Sequence, residues 1–109
     1  MNMSEAIVIL TTVEDQKSGE ALAQMLVEKR VAACVQVMPA MTSVYRWENH
    51  LEYATESLLL IKTTRDRYSD VEKAIRENHR YETPEIIALP VVAGAPDYLQ
   101  WLTGAVSEK

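Results

Sequence analysis

The residues of this chain best suited to chemistry fall into two groups. Cys34 and Met38 stand four residues apart in a stretch that alternates like a strand, so both project from one face. A thiolate beside a thioether suits a soft ion such as Cu(I). A free cysteine also serves as a small buried hydrophobe, and spacing does not choose between the two roles. The second group is His79, Tyr81 and Glu85, which follow a helical stretch and lead into a short apolar run. There an imidazole, a phenol and a carboxylate are expected to converge near the end of a strand. Imidazole suits copper and zinc; a histidine just after a helix also serves as a cation on the helix dipole or as a hydrogen-bonded anchor for the loop. Lys62 closes an otherwise apolar stretch, and its ammonium either snorkels to solvent or faces a cleft. With Tyr81 and Glu85 it would make a polar pocket for a small anionic ligand. His50 falls in a polar break and is expected in solvent, whereas Trp47 and Trp101 are expected to anchor packing in the core or at a subunit interface.

Catalytic signatures are absent from the sequence. Its three glycines build no phosphate-binding loop, its two histidines form no His-Glu-x-x-His pair, and its single cysteine excludes a paired-cysteine zinc site. The histidines lie in expected loops and assign no nucleophile, base and orienting acid. A non-catalytic protein that requires no cofactor is the expectation. A hydrolase or transferase using Lys62, His79 and Glu85 is the enzymatic alternative.

The elements that must position these residues follow from periodicity. Ala6 to Leu10 is a β-branched apolar run ended by polar residues, a buried first strand. From Asp15 to Arg30 the apolar residues Ala21, Leu22, Met25 and Leu26 recur at helical spacing, with Thr12 or Asp15 as N-cap. Ala32 to Met38 returns to period two and meets Pro39, which forces an edge, bulge or bend. Met41 to Trp47, the break Glu48 to His50, and Leu51 to Thr64 read as a long hairpin. A second helix is expected from Arg65 to Asn78, a loop from His79 to Thr83, and a last strand from Pro84 to Leu89, ended by Pro90. Pro96 then opens a short third helix bearing Tyr98, Trp101 and Leu102.

Strand, helix, strand, strand, helix, strand is the split βαβ order of a ferredoxin-like α+β sandwich, here with a C-terminal helix, in one domain spanning the 109 residues. Two helices cover one face of such a sheet, so the other face should be polar if it meets water. The runs Ile7 to Leu10, Leu58 to Ile61 and Ile86 to Leu89 are apolar at odd and even positions alike. Both faces are therefore expected to be dry, and copies of the chain are expected to cover what the third helix leaves. At about 25 cal/mol per Å², burial of such a face is large beside a domain stability of about 5–15 kcal/mol.

The formal net charge of −5 opposes phosphate backbones and anionic headgroups, so neither nucleic acid nor membrane is an expected partner. One cysteine allows no intrachain disulfide. Met1 to Glu5 lack a basic region followed by an apolar stretch, and no apolar run approaches about 20 residues, so cytoplasmic residence is the expectation.

Five segments together resemble the CutA family, the divalent-cation tolerance family. They are Ala32-Ala33-Cys34-Val35, Thr42 to Glu48, Leu60-Ile61-Lys62-Thr63, His79 to Ile87 and Tyr98-Leu99-Gln100-Trp101-Leu102, in matching order over nearly the whole chain. The resemblance implies a PII-like homotrimer joined by inter-subunit strand pairing of the long hairpin. It also implies a cytoplasmic role in the response to copper or another divalent cation, with no reaction attached. Copper-binding members are described with a cysteine in the first strand and two adjacent histidines after the second helix. Here those positions hold Thr11 and Asn78-His79, so one of three potential ligands is present. The alternative function is a PII-like signalling module that takes a small anion in the inter-subunit cleft.

Overall fold

The computed structural model describes residues 5–107; Met1 to Ser4, on which the expectation of no leader rests, lie outside the described residues. The first strand, β1 (Ala6–Val13), runs three residues past its apolar stretch because β4 (His50–Thr64) pairs with all of it, from Ala6 opposite Thr64 to Val13 opposite Ser57. Backbone pairing thus carries Thr11 and Thr12 into the sheet despite their polarity.

The first helix, α1 (Gln16–Glu28), starts at Asp15, whose carboxylate accepts the Ser18 N–H at 2.7 Å. That bond holds the Asp15 carboxyl below the usual carboxylate range. Thr12, the other candidate cap, stays in β1. At the far end Arg30 adopts φ 61°, and the N–H groups of Val31 and Ala32 return to the Leu26 carbonyl, which stops the helix.

Beyond it, β2 (Cys34–Val37) ends before Pro39 and β3 (Met41–Trp47) forms a hairpin with β4. The hairpin turn is only two residues, Glu48 and Asn49, at φ 49° and 67°, the paired left-handed values that match strand twist. His50 is therefore the first residue of β4, opposite Trp47, rather than part of the turn; it is exposed all the same.

The expected second helix divides into a 3₁₀ turn at Arg65–Arg67 and α2 (Tyr68–Asn78). In that turn the Thr64 hydroxyl donates to the Asp66 carboxylate, a local bond that favours a tight first turn. The last strand, β5 (Ile86–Pro90), begins after Pro84 because its pairing with β1 starts at Ile86 opposite Thr11. The third helix, α3 (Pro96–Ala105), carries Pro96 in its first turn, and the Arg67 guanidinium holds the carbonyl of Val106 just beyond it at 2.9 Å.

All pairings are antiparallel, and the strand order is β2-β4-β1-β5, with β3 continuing along β4. This is the ferredoxin-like arrangement. The hairpin projects from the sandwich and lengthens the molecule to 45 Å against 26 and 22 Å across.

Strand parity divides the sheet into two faces. Ile7, Ile9, Leu59 and Ile61 point to α1 and α2 and are buried with Leu22, Leu26, Val71 and Ile75. Their neighbours in the chain, Val8, Leu10, Leu58, Leu60, Ile87 and Leu89, occupy the opposite face. There α3 covers only one end, packing Leu102 and Val106 against Ala33 with Ala6 beside them. Ile87 and Leu89 remain 49% and 47% exposed, so one chain leaves half of the expected dry face open. Trp47 and Trp101 are likewise 54% and 50% exposed; neither is a core anchor of the single chain, since both lie on surfaces that no element of their own chain covers.

Candidate functional site

The same parity assembles a site at the hairpin end of the open face. On β4 the residues two and four positions before Leu60 are Leu58 and Glu56, so Glu56 shares the face of the apolar row. Thr12 lies opposite Leu58, and Glu85 immediately precedes the first residue of β5. On β3, Met41 pairs with Glu56, Tyr45 with Glu52 and Trp47 with His50, which brings Tyr45 and Trp47 to this face as well. Thr12, Tyr45, Trp47, Glu56 and Glu85, with Tyr81, Glu82 and Thr83 from the loop after α2, line an open cleft of about 430 Å³. Three carboxylates and three aromatic rings border it, and among the described residues no lysine, arginine or histidine does.

His79 does not line this cleft; it fixes the loop that borders it. Its Nδ1 accepts the Tyr81 backbone N–H at 3.1 Å, so Nε2 carries the ring proton and donates to the Thr12 carbonyl at 2.5 Å. The loop after α2 is thereby tied to the end of β1, with the His79 and Tyr81 rings 4.6 Å apart. Both imidazole nitrogens are hydrogen-bonded to backbone groups, so neither points free into the cleft. Of the roles open to His79 from its position, the structure places it in the loop anchor. On the outer side Arg80 pairs with Glu14 at 2.8 Å and turns its charge away from the cleft.

Tyr81, held by that anchor, faces Glu56. Burial pushes its phenol up to about 12, reinforced by the neighbouring carboxylates of Glu56 and Glu14. Tyr81 is thus a neutral donor throughout the physiological range. Glu56 is only 8% exposed, and among the described residues no cationic side chain pairs with it.

Lys62 does not join Tyr81 and Glu85. The register sets Lys62 opposite Val8 on one side and Cys34 on the other, four residues along β4 from Leu58, or about 13 Å at the rise of a strand. Its ammonium lies over the Tyr98 ring of α3, 5.7 Å from the centroid. The anionic-ligand pocket expected of Lys62, Tyr81 and Glu85 is therefore not formed within one chain, because strand register separates its cation from its other members. Cys34 sits at the Lys62 end too, half-buried, with Met38 exposed four residues on. It is remote from His79 for the same reason. Among the described residues no three His, Cys, Asp or Glu side chains converge closely enough to hold a metal ion. The donors of one chain do not fit a closed metal centre.

Glu56, Tyr45 and Glu82 are the members that periodicity alone passed over. Glu56 did leave a signal, as a carboxylate at the parity of Leu58 and Leu60 in an apolar arm.

The model of the CutA1 divalent ion tolerance protein family matches residues 7–105. A divalent-cation tolerance protein CutA of Thermus thermophilus is 41% identical over 95 residues, covering 87% of this chain and 92% of that protein. A chloroplastic CutA protein of Arabidopsis thaliana is 39% identical over 89% of this chain, which spans 53% of the plant protein's length. A crystal structure of CutA1 from Oryza sativa superposes with a TM-score of 0.93 at 36% identity, covering 98% of each chain.

Proposed function

The chain belongs to the CutA1 divalent ion tolerance family, and on that premise we propose that it acts in divalent-cation tolerance as a non-catalytic cytoplasmic homotrimer whose acidic clefts gather cations. The observation that carries this reading is the cleft itself. Glu56, Glu82 and Glu85 border it with no basic residue among the described ones, so its field draws cations and turns anions away. Carboxylates spread along an open cleft hold a divalent ion weakly and exchange it quickly, which suits buffering better than storage. Copper is one such ion.

Assembly follows from the open sheet face. Leu10, Leu58, Leu60, Ile87 and Leu89 make a continuous apolar surface beside the cleft, and copies of the chain supply the cover that α3 does not. The clefts then lie at subunit boundaries. An anion in the cleft would meet three carboxylates, so the signalling alternative loses its ligand there.

Calorimetric titration of the intact assembly with Cu(II) and Zn(II) tests the proposal. Saturable binding that weakens about tenfold in the Glu56→Gln, Glu85→Gln double variant, a loss of about 1.4 kcal/mol, supports it. Binding that ignores both substitutions removes the cleft from the mechanism.

A further inference from the structure

The cleft is built for a larger and softer cation than a bare metal ion. Three features stand together: Glu56, a residue only 8% exposed whose side chain lines the cleft with no cationic partner among the described residues; a wall of Tyr45, Trp47 and Tyr81; and room of about 430 Å³. A buried carboxylate without a counter-charge is costly, and a cation that reaches it recovers that cost. Aromatic faces cannot coordinate a hard ion, but they attract an ammonium or alkylammonium group through their quadrupoles. The absence of three converging donors among the described residues disfavours tight metal capture at the same place. Volume points the same way, since a bare ion fills a small fraction of such a space, whereas an organic cation buries its alkyl groups against the rings.

We propose that the cleft is a binding site for an organic cation of the alkylammonium class, with Glu56 as counter-ion and Tyr45, Trp47 and Tyr81 as the aromatic wall. This deepens the proposal that the cleft gathers cations and rests on it. Glu82 and Glu85 at the rim add attraction to the approaching cation, and His79 keeps the Tyr81 loop in place from behind.

The test uses n-butylammonium and tetramethylammonium chloride, with n-butanol as the uncharged control. Trp47 emission is followed in the assembled protein carrying Trp101→Phe, which leaves Trp47 as the only tryptophan. Saturable quenching by either cation, absent with butanol and weakened about tenfold or more in Glu56→Gln, is the expected result. The Trp47→Leu variant, read by calorimetry, keeps the question answerable should Glu56→Gln fold poorly, because Trp47 is more than half exposed and its replacement spares the core. It too should weaken binding. No saturable response to either cation up to tens of millimolar overturns the proposal, as does quenching that butanol reproduces or that neither substitution alters. If Cu(II) or Zn(II) binds through Glu56 and Glu85 while both ammonium ions fail, the organic-cation site is refuted and cation gathering by the cleft stands. If neither class binds, both are refuted.

Discussion

At the scale of single residues, the site depends on the His79 ring, which uses two backbone groups to fix the loop that carries Tyr81. His79 contributes no chemistry of its own yet joins β1 to the loop that carries Tyr81, Glu82 and Glu85. Its replacement in His79→Ala leaves the Thr12 carbonyl and the Tyr81 N–H without their partner and should lower stability by about 1–3 kcal/mol in urea unfolding. Cation binding should weaken with it, as the loop loses its tether. Tyr81 makes a separate prediction in alkali. Its phenol ionises near 12 when folded, against about 10 in an unfolded chain, so the folded state holds the proton more tightly. The stability this supplies is complete below about pH 10 and is lost as pH rises from there through about 12. Denaturant midpoints measured across that window should fall less steeply in Tyr81→Phe than in the parent.

Elements show where close approach and backbone shape set the limits. Gly19 lies on the inner side of α1, and a Cβ there would come within 3.0 Å of Leu59 Cδ1, 3.1 Å of Val37 Cγ1 and 3.2 Å of Val13 Cγ2. Leu59 is fully buried, and three side chains from three strands would have to move together. Alanine is the better helix former, but overpacking costs about 1–3 kcal/mol and outweighs the gain of about 1 kcal/mol. Gly19→Ala should therefore lower the thermal midpoint. Arg30 presents the opposite case, a side chain where a left-handed backbone favours none. Glycine relieves a strain of about 1 kcal/mol there, so Arg30→Gly should raise the midpoint, read by calorimetric scanning.

The whole molecule is defined by a sheet with one finished face. The helices α1 and α2 complete the first; the second is left to α3 at one end, the acidic cleft at the other, and an apolar strip between. If copies of the chain cover that strip, a charge placed within it should dissociate them without unfolding the subunit. Ile87 is half exposed in the single chain, so Ile87→Asp buries no charge in the monomer. In sedimentation velocity, the variant should run as a folded monomer at protein concentrations where the parent runs as a trimer. A parent that already sediments as a folded monomer would refute assembly through this face.

What the amino-acid sequence determined by itself was everything that local physics writes into a short stretch. Period-two and helical spacing set the order of elements, Asp15 and Pro96 marked helix starts, and doubled apolar parity in three strands announced a second face needing cover. Five motifs in order pointed to the family. Tertiary structure alone decided which chemical groups meet. Register put Lys62 and Cys34 at one end of the sheet, and the fold set Tyr81 and Glu85 beside Glu56 at the other, neighbours that no spacing in the chain reveals. It also turned one nitrogen of His79 to the backbone of a strand 67 positions away and the other to the Tyr81 N–H of its own loop, so that the ring serves as a tether. The reason is that faces and caps depend on neighbours within a few residues, whereas a site depends on which strands lie side by side and in what register.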